Sequence, residues 1–112
     1  MSGWLKIVGL GPGSEAMVTP EVTAALQEAS DVVGYVPYVN RIAPRAGLVR
    51  HGSDNREEIR RAEQALQLAL EGHRVVVVSS GDPGVFAMAA AVFEALEAGD
   101  AQMRTLDIQV LP

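Results

Sequence analysis

The chain contains no cysteine among its 112 residues. That excludes disulfides and thiolate metal sites, and it suits a cytoplasmic location. Histidine is nearly as scarce: only His51 and His73 are present. Metal sites need clustered ligands, so no metal is expected, and His73, which follows a helix-ending glycine, is expected at the surface. No apolar run approaches the roughly 18 residues that span a membrane. No charged-then-apolar leader is visible either, because Lys6 falls inside the first expected strand. Lys and Arg total nine against fourteen Asp and Glu, a net charge of −5. The cations are scattered and form no basic stripe, so nucleic acid is not an expected partner. Aromatics make up 4%: one Trp, two Phe and two Tyr.

Hydrophobic residues, in contrast, make up 48%. That is too many for a disordered chain, and the length suits one domain with a single modest core. The strongest signal is Val75-Val76-Val77-Val78 followed by Ser79-Ser80-Gly81-Asp82-Pro83-Gly84. Four consecutive β-branched residues read as a strand buried on both faces, the pattern of a central parallel strand. The polar, glycine-rich turn after it marks the carboxyl end of that strand, where ligands bind in open α/β sheets. A helix over residues 85–96, rich in Ala, Met and Leu, is expected next, ended by Gly99.

In chain order, residues 5–8 form a first strand that runs into Gly9-Leu10-Gly11-Pro12-Gly13. These glycines fit either a tight strand-to-helix turn or a close approach of backbone to a cofactor. The spacing is not the dinucleotide fingerprint, and Pro12 lacks an N–H that a pyrophosphate would use. Thr19 can cap a helix with Pro20 in its first turn, ending near Ser30. Residues 31–35 form a second strand. Both tyrosines, Tyr35 and Tyr38, sit at its carboxyl end, either as packing anchors or as an aromatic wall for a flat ligand. Residues 40–47 read as irregular, with room for one helical turn.

Residues 48–51 form a weak third strand. A helix is expected to open at residues 53–55, with Asp54 and Glu57 spaced as a capping box. Its apolar stripe is Ile59, Ala62, Leu66, Ala69 and Leu70, and Arg56, Arg60 and Arg61 form its solvated face. Residues 106–111 alternate and form a last strand with one wetter face. Alternation of this kind means α/β: a mostly parallel five-stranded sheet with helices on both faces. The turns at residues 9–13, 35–38, 53–55 and 79–84 then share one rim. In particular, the turns after Val8 and Val78 should lie side by side. Asp82 fits a cap or a hydrogen-bond acceptor for a ribose or amine. No histidine flanks Ser79 or Ser80, so neither has a visible base to make it a nucleophile.

Three of these strings resemble a known family. Gly9-Leu10-Gly11-Pro12-Gly13, Val18-Thr19-Pro20-Glu21 and Ser79-Ser80-Gly81-Asp82-Pro83-Gly84 are similar to the S-adenosylmethionine-dependent tetrapyrrole (corrin/porphyrin) methyltransferases. Residues 34–39, 53–58 and 79–89 resemble the branch that methylates precorrin-3B at C17 with ring contraction to precorrin-4, in cobalamin (vitamin B12) biosynthesis. The likeness covers nearly the whole chain. It implies a two-domain enzyme, homodimeric at full length, that binds S-adenosyl-L-methionine and a tetrapyrrole substrate between its domains. Residues 1–112 would be the N-terminal domain of that enzyme. The C-terminal domain and the Gly-x-Ser/Thr-Ala segment that follows a proline like Pro112 are not in this chain, so by itself it is expected to be inactive.

The implied cofactor contacts are Pro12, Ser80, Gly81, Asp82 and Val85, and the implied substrate-lining residues are Tyr35, Tyr38 and Ser53. Some uroporphyrinogen-type relatives carry a catalytic Asp directly after the Tyr of the second strand, and a Lys after the third. Val36 and Ser53 stand there in this chain, so no catalytic residue is assigned. Alternatives are a ligand-binding α/β module without catalysis, a methylase for a different precorrin, or a nucleotide-binding oxidoreductase domain, which the glycine spacing disfavours.

Overall fold

In a computed structural model of the chain, residues 3–11, 19–54, 56–99 and 101–111 are described, Asp82 by its backbone alone. The elements are β1 (Trp4–Gly9), α1 (Pro20–Glu28), β2 (Asp31–Tyr35), α2 (Val36–Val39), β3 (Val49–Ser53), α3 (Glu58–Leu70), β4 (Arg74–Ser79), α4 (Asp82–Ala98) and β5 (Asp107–Leu111), with a 3-10 turn at Met103–Thr105. The five strands make one sheet in the order β3-β2-β4-β1-β5. Every pairing is parallel, as the strand-helix alternation implies.

The valine run forms the central strand β4, whose residues 75–78 are all buried. Successive side chains point to opposite faces, so Val75 and Val77 enter one core layer and Val76 and Val78 the other. The first layer is closed by Ala62, Ala65, Leu66 and Ala69 of α3 and by Val85, Met88 and Val92 of α4. The second is closed by Val22 and Ala25 of α1 and Val39 of α2. Helices therefore cover both faces.

Local chemistry explains most of the boundaries. The Thr19 hydroxyl accepts the Val22 N–H at 3.3 Å and caps α1, with Pro20 in the first turn. The other end of α1 is held by Arg45, whose Nη2 donates to the carbonyls of Leu26, Gln27 and Ala29 at 2.7–3.1 Å. A cation suits those unsatisfied C-terminal carbonyls, and it anchors the loop that was expected to be irregular.

Three expected boundaries are corrected. Tyr35 ends β2 as expected, but the residues after it, expected as a turn, form the short helix α2, because Pro37 pre-sets a helical φ in its first turn. Ser53 ends β3 instead of opening a helix, and α3 starts at Glu58. Only half of the capping box forms: the Asp54 N–H donates to Glu57 Oε2 at 3.3 Å. The helix α4 begins at Asp82, inside the expected loop, since Pro83 fits a first helical turn. The turn from β4 to α4 is thereby cut to Ser80 and Gly81.

At the amino edge of the sheet the two histidines converge. The buried Asp31 carboxylate, at the start of β2, lies 2.7 Å from His51 Nε2 of β3 and 2.7 Å from His73 Nδ1, just before β4. Its Oδ1 also accepts the Ser30 hydroxyl at 2.8 Å. His73 is partly exposed as expected, but it is tied to this carboxylate. Asp31 and His73 are 42 residues apart, and no local pattern links them.

Candidate functional site

The strand order puts β1 and β4 at a switch point. From β1 the chain crosses through α1 towards β2 on one side; from β4 it crosses through α4 to β5 on the other. Yet β1 and β4 are neighbours, paired from Trp4↔Arg74 to Gly9↔Ser79. Their crossovers leave on opposite faces, which opens a crevice at their carboxyl ends, the place where ligands sit in such sheets.

The two glycine-bearing turns meet at that crevice, as the sequence implied. Gly9 lies opposite Ser79, and the Leu10 N–H donates to the Ser79 carbonyl at 2.7 Å. Gly11 follows with φ of +73°, a left-handed conformation that glycine adopts without steric cost. Its carbonyl and that of Leu10 accept Arg41 Nη1 and Nη2, at 2.9 and 3.3 Å. Pro12, an expected cofactor contact, lies outside the described residues.

On the β4 side, Ser80 and Gly81 are partly buried. Gly81 is extended, with φ of −167°, and a Cβ built on it would meet no atom within 4 Å. It therefore faces open space and fits a bound group laid against the backbone. Among the described residues no side chain caps the N-terminus of α4 there, and the first N–H groups of a helix have no intrahelical partner. Asp82 occupies the first helical position, and its side chain lies outside the described atoms. Val85 is placed differently from the other expected contacts: its side chain is fully buried in the core, and its N–H donates to the Gly81 carbonyl at 2.9 Å. It supports the Ser80–Gly81 turn from the core side and presents no side chain to the rim.

The expected substrate residues assemble one strand further along. Tyr35 lies opposite Ser53 in the β2–β3 register, and Gly34 lies opposite Val78. Strands are about 4.8 Å apart, so this corner sits roughly 5–10 Å from the Ser79 turn. The Tyr35 and Tyr38 rings meet edge to face, 5.4 Å between centroids at 86°. Gly34 is required here, because a Cβ would stand 2.7 Å from Val78 Cγ2 and 3.1 Å from the Val78 carbonyl. The Ser53 hydroxyl is already engaged: it accepts Arg61 Nε at 2.9 Å and lies 3.4 Å from the Gly34 carbonyl, to which it donates.

Arg61 departs from the expected solvated arginine face, which Arg56 and Arg60 keep. It is 5% exposed. Besides Ser53, it donates to the Asp54 carbonyl at 2.7 Å and reaches Met88 Sδ at 3.6 Å. Burial lowers its pKa, and the charges of Glu58 and Glu57 work against that shift. The sequence signal was misleading because the three arginines look alike along the helix. Among the described residues, Arg60 alone of the three makes an exposed pair, with Glu57 at 3.5 Å.

The comparisons agree with this geometry. The family model of tetrapyrrole (corrin/porphyrin) methylases matches residues 5–112. A precorrin-3B C(17)-methyltransferase of Sinorhizobium sp is 47% identical over 112 residues, which is 100% of this chain and 44% of that protein. The crystal structure of the methyltransferase CobJ matches with a TM-score of 0.92 at 65% identity, over 99% of this chain and 46% of that one. A uroporphyrin-III-C-methyltransferase from Thermus thermophilus shares the fold at 23% identity, with a TM-score of 0.66, over 100% of this chain and 48% of that one. The chain spans less than half the length of these relatives. With its two glycine turns joined at the switch point and the family pattern matched from residue 5 to residue 112, the chain belongs to the tetrapyrrole (corrin/porphyrin) methylases.

Proposed function

We propose that this chain is the N-terminal half of an S-adenosylmethionine-dependent methyltransferase that methylates precorrin-3B at C17, with ring contraction to precorrin-4, in cobalamin biosynthesis. The observation that carries the reading is the joined pair of turns, Leu10 bonded to Ser79 beside an open Gly81. The likeness to the Sinorhizobium protein supports the choice of substrate.

In this reading Ser80, Gly81 and the first turn of α4 form the floor for S-adenosyl-L-methionine, with Pro12 and Asp82 completing it. When bound, its sulfonium supplies a methyl group already activated for transfer to the electron-rich macrocycle, and the thioether leaves with the S–C electron pair. The chain's own residues have to align donor and acceptor and exclude water. Gly34 lets β2, β4 and α2 close tightly between the two halves of the site. The edge-to-face tyrosines offer an aromatic rim for a flat macrocycle. Ser53, fixed by Arg61 and Gly34, holds the corner beside them. No side chain of this half is given an acid or base role.

The full-length protein would be a homodimer, and the exposed Phe86 and Phe93 of α4 supply apolar surface for further packing. Sedimentation of the two-domain protein checks this, and a monomer would remove it. Function is tested by calorimetry of the two-domain protein with S-adenosylhomocysteine and with NAD, followed by mass spectrometry of the product from precorrin-3B. Binding of the sulfur nucleotide and a product one methyl heavier are expected. Binding of NAD alone would sink the reading, and binding without methyl transfer would leave a ligand-binding module.

A further inference from the structure

Besides the β2–β4 pairing, a side chain links the two halves of the site. Arg41 follows α2, three residues after Tyr38, and its backbone N–H donates to the Tyr38 carbonyl at 3.1 Å. Its guanidinium crosses 30 residues of sequence to the turn after β1, where two nitrogens donate to the consecutive carbonyls of Leu10 and Gly11. A planar fork matches two neighbouring acceptors in a way an ammonium cannot. Arg41 is exposed, so no burial force holds the side chain there, and the hydrogen bonds must. On its other side the same turn is fixed by the Leu10–Ser79 bond. The turn is thus gripped twice: by β4, which leads into the proposed donor floor, and by the segment that carries the tyrosines.

We propose that Arg41 is a positioning residue that locks the glycine turn into its ligand-ready shape and couples occupation of that turn to the order of the Tyr35–Tyr38 segment. It touches neither reacting group. It sets the direction of the Leu10 and Gly11 carbonyls, and hence the line along which a nucleotide lies. Because coupling is reciprocal, a ligand on the turn steadies the tyrosine segment and a ligand on the tyrosines steadies the turn. The inference rests on the cofactor reading above.

The test uses the two-domain protein as wild type, Arg41→Ala and Arg41→Lys. Three quantities are read: the Kd for S-adenosylhomocysteine, the ligand-free thermal midpoint, and amide exchange with and without S-adenosylhomocysteine. Arg41→Ala should weaken binding about tenfold, and Arg41→Lys by less, since one donor can be restored. The midpoint should shift by no more than about 4 °C, as for other surface changes. In the wild type, the ligand should slow exchange both at residues 9–11 and at residues 38–42; in Arg41→Ala the second effect should vanish. An Arg41→Ala protein that binds as tightly as wild type, or that keeps protection at residues 38–42, overturns the inference while leaving the cofactor reading intact. A wild type that binds no S-adenosylhomocysteine overturns both.

Discussion

The N–H of Leu10 and the carbonyl of Ser79 are 2.7 Å apart, although 69 residues separate them in sequence. One bond therefore continues the β1–β4 ladder past the last paired residues and sets the two turns at a fixed spacing. In the proposed reading these two turns are the floor for a methyl donor, since alignment of the reacting atoms is most of what the protein contributes.

Gly81 separates binding from stability. Its φ of −167° is available to any residue, and a Cβ there meets nothing within 4 Å. Gly81→Ala should leave the unfolding free energy from urea titration unchanged to within about 0.5 kcal/mol, while the Kd for S-adenosylhomocysteine rises about tenfold or more. Asp82→Ala should likewise reduce affinity more than thermal stability. An unchanged Kd in either variant would count against the floor assignment.

Gly34 gives the opposite pattern. A methyl at this position would press on Val78 Cγ2 at 2.7 Å and on Val39 Cγ2 at 3.2 Å. Overpacking of this kind costs about 1–3 kcal/mol. Gly34→Ala should lower the denaturation midpoint accordingly, with or without ligand present.

Arg61 is held by a hydroxyl, a carbonyl and a thioether, with no carboxylate within ion-pair distance among the described residues. Arg61→Ala removes those bonds and leaves a gap, at a cost of about 2–4 kcal/mol. Arg61→Met fills the space beside Met88 and sheds a desolvated charge, so it should be the milder of the two. Urea titrations rank them, and the reverse order would refute this account of the site.

Asp31 makes stability depend on pH in the acid range. Burial alone would raise its pKa. Hydrogen bonds from His51, His73 and Ser30, with the charge of His73, outweigh burial and hold it below its ordinary 3.8. A carboxylate with a lowered folded-state pKa contributes stability that is complete above the unfolded value and is lost as pH falls through the folded one. The stability advantage of wild type over Asp31→Asn should therefore be constant well above pH 3.8 and shrink below it, as measured by urea unfolding from pH 2.5 to 5.5. An advantage that grows on acidification would contradict the arrangement.

Much of this protein was determined by its sequence. The valine run, the strand-helix alternation and the capping chemistry of Thr19-Pro20 are local or periodic signals, so they gave an α/β sheet with helices on both faces, and the turns after Val8 and Val78 stood out as a rim. Tertiary structure alone decided which side chains fill the interior and which strands adjoin. Arg61 is 5% exposed while Phe86 is 59% exposed, the reverse of what residue type suggests. On α4, small and apolar residues surround the whole helix, so its periodicity does not choose an inward face, and the neighbouring α3 chooses it instead. Likewise Asp31 meets His51 and His73, and Arg41 meets Gly11, only because parallel pairing in the order β3-β2-β4-β1-β5 brings distant segments within hydrogen-bond reach. Those contacts span 20 to 42 residues, and no spacing along the chain encodes them.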